Sequence, residues 1–248
     1  MSASINVLDP QKPKKILFVA ANPAVSTVTG WPVGFWWAEL THPYWEFVEQ
    51  GYEVEIRSAE GGDLQADSWS DPEDESGYSA HDLLSLGFKK SNQHAQLLQN
   101  TRSIEGVRVE DYDAIFLVGG QSPMFTFIEH GKLHRLVADF HAAGKVTALV
   151  CHATCILLKA KDAEGNLLVK GKTWTGFANS EEQFADQYVG QRIQPFWIEE
   201  EARKIPDSNF IVQGMFKAHA VRDGHLITGQ QQYSGVAAAR LVIEALGV

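Results

Sequence analysis

Cysteine is almost absent from this chain of 248 residues, which has only Cys151 and Cys155. Two thiols four positions apart cannot staple a small scaffold, so a disulfide framework is excluded and a reducing, cytoplasmic compartment is expected. Positive charge is also scarce. Lys and Arg number 21 against 31 Asp and Glu, a net charge of -10, which leaves no basic stripe for a phosphate backbone and argues against nucleic acid as a partner. Long apolar runs are missing too. The run Ile16 to Ala21 falls far short of the roughly 20 residues that cross a bilayer. The leading MSASINVLDPQKPKK lacks the apolar stretch of a secretory signal. A soluble, unprocessed protein with no membrane partner is expected.

What is present is ordinary globular composition, 44% hydrophobic and 21% charged, which supports a real core. Residues 1–14 are expected to be an N-terminal extension and 15–248 a single α/β domain. Short runs rich in Val, Ile and Phe alternate with stretches of helical period, the pattern of stacked βαβ units around a mostly parallel sheet. Strands are expected at Lys15–Ala20, Glu53–Arg57, Ala114–Val118 and Val146–Val150. The first, third and fourth are almost continuously apolar and should be buried on both faces. Helices are expected over Gly34–Gln50, Leu83–Asn100, His130–Ala143 and Ser234–Leu246. Asp223-Gly224 marks a two-residue hairpin between Ala218–Val221 and His225–Thr228. The stretch from Glu60 to Tyr78, with its DPEDES core, has no periodicity and reads as a surface loop, either a binding element or a solvated excursion.

Cys151 draws chemical interest by position. It follows the strand VTALV and precedes a helical pattern, the address where open α/β sheets collect ligands and where free N–H groups and a helix dipole favour a thiolate. His152 could supply an acid or base, and its N–H could stabilise an oxyanion. The spacing alone leaves open the simpler role of a small core residue. Cys155, beside Ile156 and Leu157, reads as packing. No metal is expected: Cys-His-x-x-Cys lacks two further ligands, and His42, His130, His134, His141, His219 and His225 have no coherent ligand spacing. The esterase elbow G-x-S-x-G is absent, because Leu149 and Ala153 occupy its glycine positions.

The segments ALVCHA at Cys151, Gly119-Gly120 after the third strand, GFWWAELTHP ending at Pro43, KGKTWTGFANSEE from Lys170 to Glu182 and Gly229-Gln230 together resemble the ThiJ/PfpI superfamily. That superfamily is related to class I glutamine amidotransferases, and the resemblance spans almost the whole chain. Glu39-x-x-His42-Pro43 and the TGF-x-x-x-E-E segment are similar to its stand-alone heat-shock and glyoxalase III branch. The resemblance implies a flavodoxin-like three-layer sandwich. It also implies Cys151 as nucleophile, His152 as its acid/base, Glu182 as the carboxylate orienting that histidine, and Glu39 as a protonated carboxyl against the sulfur. Gly120 and His152 would form an oxyanion hole, with Gly119, Gln121, Gln230 and Tyr233 shaping the pocket.

For function, the resemblance implies a cofactor-independent enzyme that converts a small carbonyl substrate, a 2-oxoaldehyde such as methylglyoxal, to a 2-hydroxy acid such as D-lactate. A thiol-dependent hydrolase, hydratase or deglycase and a stress-related holding chaperone or redox sensor are the alternatives. A homodimer is usual among such relatives. Three departures bear on substrate: Gln121-Ser122-Pro123 where that branch usually has His-Gly, Thr154-Cys155 after Ala153, and Gln231-Gln232-Tyr233 where Asn-Pro is typical.

Overall fold

The computed structural model describes residues 13–247. The expected extension, 1–14, therefore lies outside the described residues up to residue 12. Seven strands form the central sheet: β1 (Lys15–Ala20), β2 (Glu53–Ser58), β3 (Arg102–Ser103), β4 (Ala114–Leu117), β5 (Val146–Val150), β6 (Ala220–Asp223) and β7 (Leu226–Gly229), in the order β6-β7-β5-β4-β1-β2-β3. Every neighbouring pair is parallel except β6 with β7, which pair antiparallel at one edge. The three mostly apolar strands β1, β4 and β5 lie next to one another inside the sheet, as two-sided burial requires. The result is the expected α/β architecture with a mostly parallel sheet.

The main helices are α1 (Trp37–Glu49), α2 (Leu83–Lys90), α3 (Gly131–Ala142), α4 (Asn179–Val189) and α5 (Gly235–Leu246). Helix α1 meets the sheet through Phe47, whose ring lies edge-on to Phe18 of β1 at 5.8 Å, while Phe18 stacks on Phe116 of β4 at 4.9 Å. These three fully buried rings anchor the helix that carries Glu39 to the two strands that end beside it. Among the described residues no helix is long and apolar enough to cross a membrane.

Three local expectations are corrected. The helix expected over 83–100 breaks at Ser91, which is extended at φ -79°, ψ 114°. Its N–H closes α2 on the Gly87 carbonyl, and its hydroxyl lies 2.7 Å from His94 Nδ1, so local hydrogen bonds compete successfully with helix continuation. The hairpin turns at Gly224-His225 instead of Asp223-Gly224. Asp223 stays in β6, its carboxylate accepting from the Thr173 N–H at 2.8 Å and from Lys172 Nζ at 3.1 Å. The segment after β5, expected to be an α-helix, is a 3-10 run over Cys151–Leu158.

The aperiodic stretch 60–78 is pinned just before its acidic core and within the core itself. Phe35 and Ala66 form a parallel bridge, with Phe35 N–H donating to the Gln65 carbonyl at 3.1 Å and Asp67 N–H to the Phe35 carbonyl at 2.8 Å. Lys89 on α2 then contacts Asp71 and Glu73, and Lys90 contacts Glu73. Position 34 makes the bridge possible, because a Cβ there would stand 1.9 Å from the Gln65 carbonyl oxygen. Gly34→Ala is expected to lower stability by about 1–3 kcal/mol, read as a fall in the urea midpoint. An unchanged midpoint would mean that the bridge contributes little.

Candidate active site

The site forms where β4 and β5, parallel neighbours, both end. Beyond β4 the chain reaches Gly119-Gly120, and beyond β5 it reaches Cys151, so the two turns face each other at the carboxyl edge of the sheet. Cys151 has φ +55°, a left-handed conformation that a residue with a Cβ seldom adopts. The strain sets its side chain at the turn instead of along the strand. Both glycines are required by contact. A Cβ on Gly119 would lie 2.2 Å from Glu39 Oε2 and 2.8 Å from Cys151 Cβ, and one on Gly120, at φ +117°, would lie 2.6 Å from the Phe35 backbone. Glu39 thus occupies the space that a side chain at 119 would fill.

Burial controls the electrostatics. Glu39 is fully enclosed in the first turn of α1, one turn before Pro43, which has no N–H to donate back to the Glu39 carbonyl. Loss of solvent raises its carboxyl to about 8; the Cys151 thiol and the Gly119 N–H pull the other way. Neither carboxyl oxygen has a hydrogen bond of good geometry, which suits a neutral acid better than an anion. Burial and the Glu39 carboxyl also push the Cys151 thiol well above its ordinary value, against the opposing N–H groups of His152 and Gly120. The expected lowering by a helix terminus is therefore corrected: a 3-10 run follows the cysteine, and desolvation outweighs two amide donors. Because the acid and thiol are in contact, they lose protons as a pair, and the first loss leaves one proton shared between carboxyl and sulfur.

His152 joins the sulfur to the far wall. Its Nδ1 lies 3.4 Å from Cys151 Sγ and its Nε2 lies 3.0 Å from Glu182 Oε1. A carboxylate only accepts, so Nε2 carries the hydrogen in that pair and Nδ1 faces the sulfur. Phe177 stacks on the imidazole at 4.1 Å and fixes its plane. The two adjacent glutamates divide the work at the start of α4. Glu181 caps the helix by accepting the Ala178 N–H at 3.0 Å, and it also takes the Phe216 N–H and Gln230 Nε2, whereas Glu182 is left for His152. Burial raises the Glu182 carboxyl, and the His152 charge lowers it.

Cys151, His152, Glu39 and Glu182 are thus brought together, with Gly120 and Gln121 beside them, around a narrow cavity of about 70 Å³. Gly119 lies beneath it against Glu39. Two expected pocket residues are not in its lining. Gln230 is wholly buried, its amide spanning the Gln213 backbone and Glu181, and Tyr233 is half exposed on a neighbouring groove; Gln232 takes the wall position instead. His219 is also outside the lining. Cys155 packs in the core with its thiol 3.4 Å from the Pro123 carbonyl. Among the described residues no three His, Cys, Asp or Glu side chains are grouped to hold a metal ion.

Sequence reasoning missed Asp67. Its buried carboxylate accepts the Gly34 N–H at 2.8 Å and the Gln121 N–H at 2.7 Å, tying the 60–78 stretch to both glycine turns, and burial raises it to about 7. The same stretch supplies Trp69 and Tyr78 to the cavity wall. An aromatic flanked by acids in an aperiodic segment was the available signal.

Glu39 sets a dependence of stability on pH. Its folded value, about 8, is above the ordinary 4.5, so the folded state has its full stability below that ordinary value and loses it as pH rises toward the folded one. At about 1.4 kcal/mol per unit, the loss is on the order of 3–5 kcal/mol. Glu39→Gln is expected to remove about half of the combined slope in urea titrations run on the acid and alkaline sides, because Asp67 is raised nearly as far. Asp67 leaves a shallower slope of the same sign in the variant, since it too is raised, to about 7. Parallel wild-type and variant slopes would show that Glu39 is not the buried acid.

Known proteins resemble this chain in both sequence and fold. The glutathione-independent glyoxalase HSP31 of Saccharomyces cerevisiae is 26% identical over 242 residues, 94% of this chain and 98% of that protein. The crystal structure of glyoxalase III from Candida albicans superposes with a TM-score of 0.76 at 25% identity, covering 94% of this chain and 97% of that one. The rapid encystment protein of 24 kDa from Francisella tularensis superposes with a TM-score of 0.83 at 25% identity, covering 95% and 100%. The DJ-1/PfpI family profile matches residues 33–245, and the chain belongs to the DJ-1/PfpI family.

Proposed function

We propose that this chain is a cofactor-independent glyoxalase of the glyoxalase III type, converting a 2-oxoaldehyde and water to a 2-hydroxy acid. The observation that carries this reading is a buried thiol held between a proton-holding carboxyl, Glu39, and an oriented imidazole, His152, at the floor of a cavity. The similarity to proteins named glutathione-independent glyoxalase supports it.

In this reading Cys151 Sγ adds to the aldehyde carbon and the new oxyanion takes a proton, giving a hemithioacetal. The Gly120 and His152 N–H groups, which already bear on the sulfur, face the oxygen as charge develops there. A base removes the hydrogen from the aldehyde carbon while an acid protonates the adjacent ketone oxygen, forming an enediol. Reprotonation at the former ketone carbon leaves a thioester. His152 and Glu39 are the groups within reach for these transfers. Water then cleaves the thioester and restores the thiol. The aldehyde carbon is oxidised, the ketone carbon is reduced, and no external electron carrier enters. Glu182 keeps the imidazole in the required tautomer. A reducing compartment would keep Cys151 in the thiol state this cycle needs.

Purified protein is expected to form D-lactate from methylglyoxal without glutathione, with Cys151→Ser lowering kcat/KM more than about 1,000-fold. Lactate formation that survives the substitution would defeat the mechanism. The reactive thiolate and carboxylic acid appear together when the pair loses its first proton, so kcat/KM is expected to rise with pH toward about 8. A rate that falls over that interval would contradict the shared-proton reading.

A further inference from the structure

The narrow cavity has a lining rich in aromatic rings. Above the sulfur, six aromatic side chains form a continuous wall: Trp36, Tyr78, Trp69, Tyr188, Phe184 and Phe216. Each ring meets the next. Trp36 lies edge-on to Tyr78 at 6.0 Å, Tyr78 stacks with Trp69 at 6.3 Å, Trp69 lies edge-on to Tyr188 at 5.6 Å, Tyr188 stacks with Phe184 at 6.4 Å, and Phe184 lies edge-on to Phe216 at 5.2 Å. The rings come from four separate places in the chain: the entry to α1, the 60–78 stretch, helix α4 and the loop before β6. A wall assembled from so many segments is not the by-product of one amphipathic helix.

The polar groups narrow the ligand further. Among the described residues no Lys or Arg lines the cavity, whereas Glu39 and Glu182 do. Two amide oxygens in the lining, Gln121 Oε1 and Gln194 Oε1, are buried without a partner. A site with acceptors, two carboxyl groups and no cation disfavours an anionic substrate and leaves acceptors for a neutral hydroxyl or hydrate. A methyl group would touch little of the aromatic wall, while a planar ring could stack against it.

We infer that the preferred substrates are neutral aryl 2-oxoaldehydes, the aryl group lying against the aromatic wall and the dicarbonyl end reaching Cys151. This rests on the glyoxalase reading and specifies its substrate class. The reaction remains balanced: an arylglyoxal plus water gives an aryl-substituted 2-hydroxyacetate, the aldehyde carbon oxidised and the ketone carbon reduced.

The test compares kcat/KM of the wild-type protein for phenylglyoxal, methylglyoxal and 4-carboxyphenylglyoxal. It is scored by hydroxy-acid formation, because surface arginines also consume dicarbonyls. Phenylglyoxal is expected to exceed methylglyoxal by about 30-fold or more, and the carboxylated ring to lose most of that gain. In Trp69→Ala the ratio of phenylglyoxal to methylglyoxal is expected to fall about tenfold. Methylglyoxal turned over as well as or better than phenylglyoxal by the wild type would overturn the substrate class and leave the glyoxalase reading standing. A carboxylated ring accepted equally would overturn the argument from charge. Hydroxy acid from none of the three would overturn both the class and the function beneath it. The wild-type comparison decides the matter even if the variant fails to fold.

Discussion

The rest of the structure is arranged around one buried contact, the Glu39 carboxyl against the Cys151 sulfur. Two groups that each prefer to ionise in water are enclosed together, so their first negative charge is shared and their second is strongly opposed. That enclosure is unfavourable for folding at neutral pH. It persists because packing over-determines it: the Phe18, Phe47 and Phe116 rings hold α1 to the strands, and glycines at 119 and 120 leave room for nothing larger. The left-handed backbone at Cys151 is a second unfavourable feature at the same place. Both are tolerated where β4 and β5 are held in register on each side by sheet hydrogen bonds.

Around that pair lies a ring of groups whose part is to hold position. Asp67 ties the backbone of Gly34 and Gln121, Phe177 stacks the imidazole, and Glu181 caps α4 so that Glu182 points at His152. Asp67 and Glu182 are acids raised by burial, like Glu39, yet each has a well-formed hydrogen bond, whereas Glu39 has only the weaker approaches of the Cys151 thiol and the Gly119 N–H. The contrast separates their parts. A carboxyl with well-formed donors holds a backbone turn or a ring, while one without them is free to keep or release a proton.

The fold was legible because the central strands are short and almost continuously apolar, the pattern expected of strands enclosed in a parallel sheet. Lys15–Ala20 and Val146–Val150 are observed at the expected bounds. Position at a strand end left Cys151 open between a nucleophile beside His152 and a core thiol, while roles for Glu39 and Glu182 came only through the family resemblance, Ser180-Glu181-Glu182 reading equally as the capped first turn of a helix. The structure shows why the second ambiguity arose: a cap is present, but it is Glu181. What stayed hidden depends on contacts between distant segments. Nothing in the order of residues says that Asp67 reaches Gln121, that Gln230 turns inward to Glu181, or that Tyr233 gives its place on the wall to Gln232.

Reactivity and selectivity are therefore set by different parts of the chain. The sulfur, acid and imidazole come from strand ends and a packed helix, where displacement would break the core. Most of the aromatic wall comes from the 60–78 stretch, α4 and the loop before β6, with Trp36 added from the entry to α1. Trp69 and Tyr78 make none of the hydrogen bonds that hold Glu39 or His152, whereas Trp36 accepts the Glu39 N–H through its carbonyl and α4 also carries Glu182. An acidic excursion pinned by Lys89 and Lys90 and stapled by Asp67 is firm enough to present Trp69 in one place and peripheral enough to vary. Substrate choice can then change by substitution at the rim while the buried acid and thiol stay as they are.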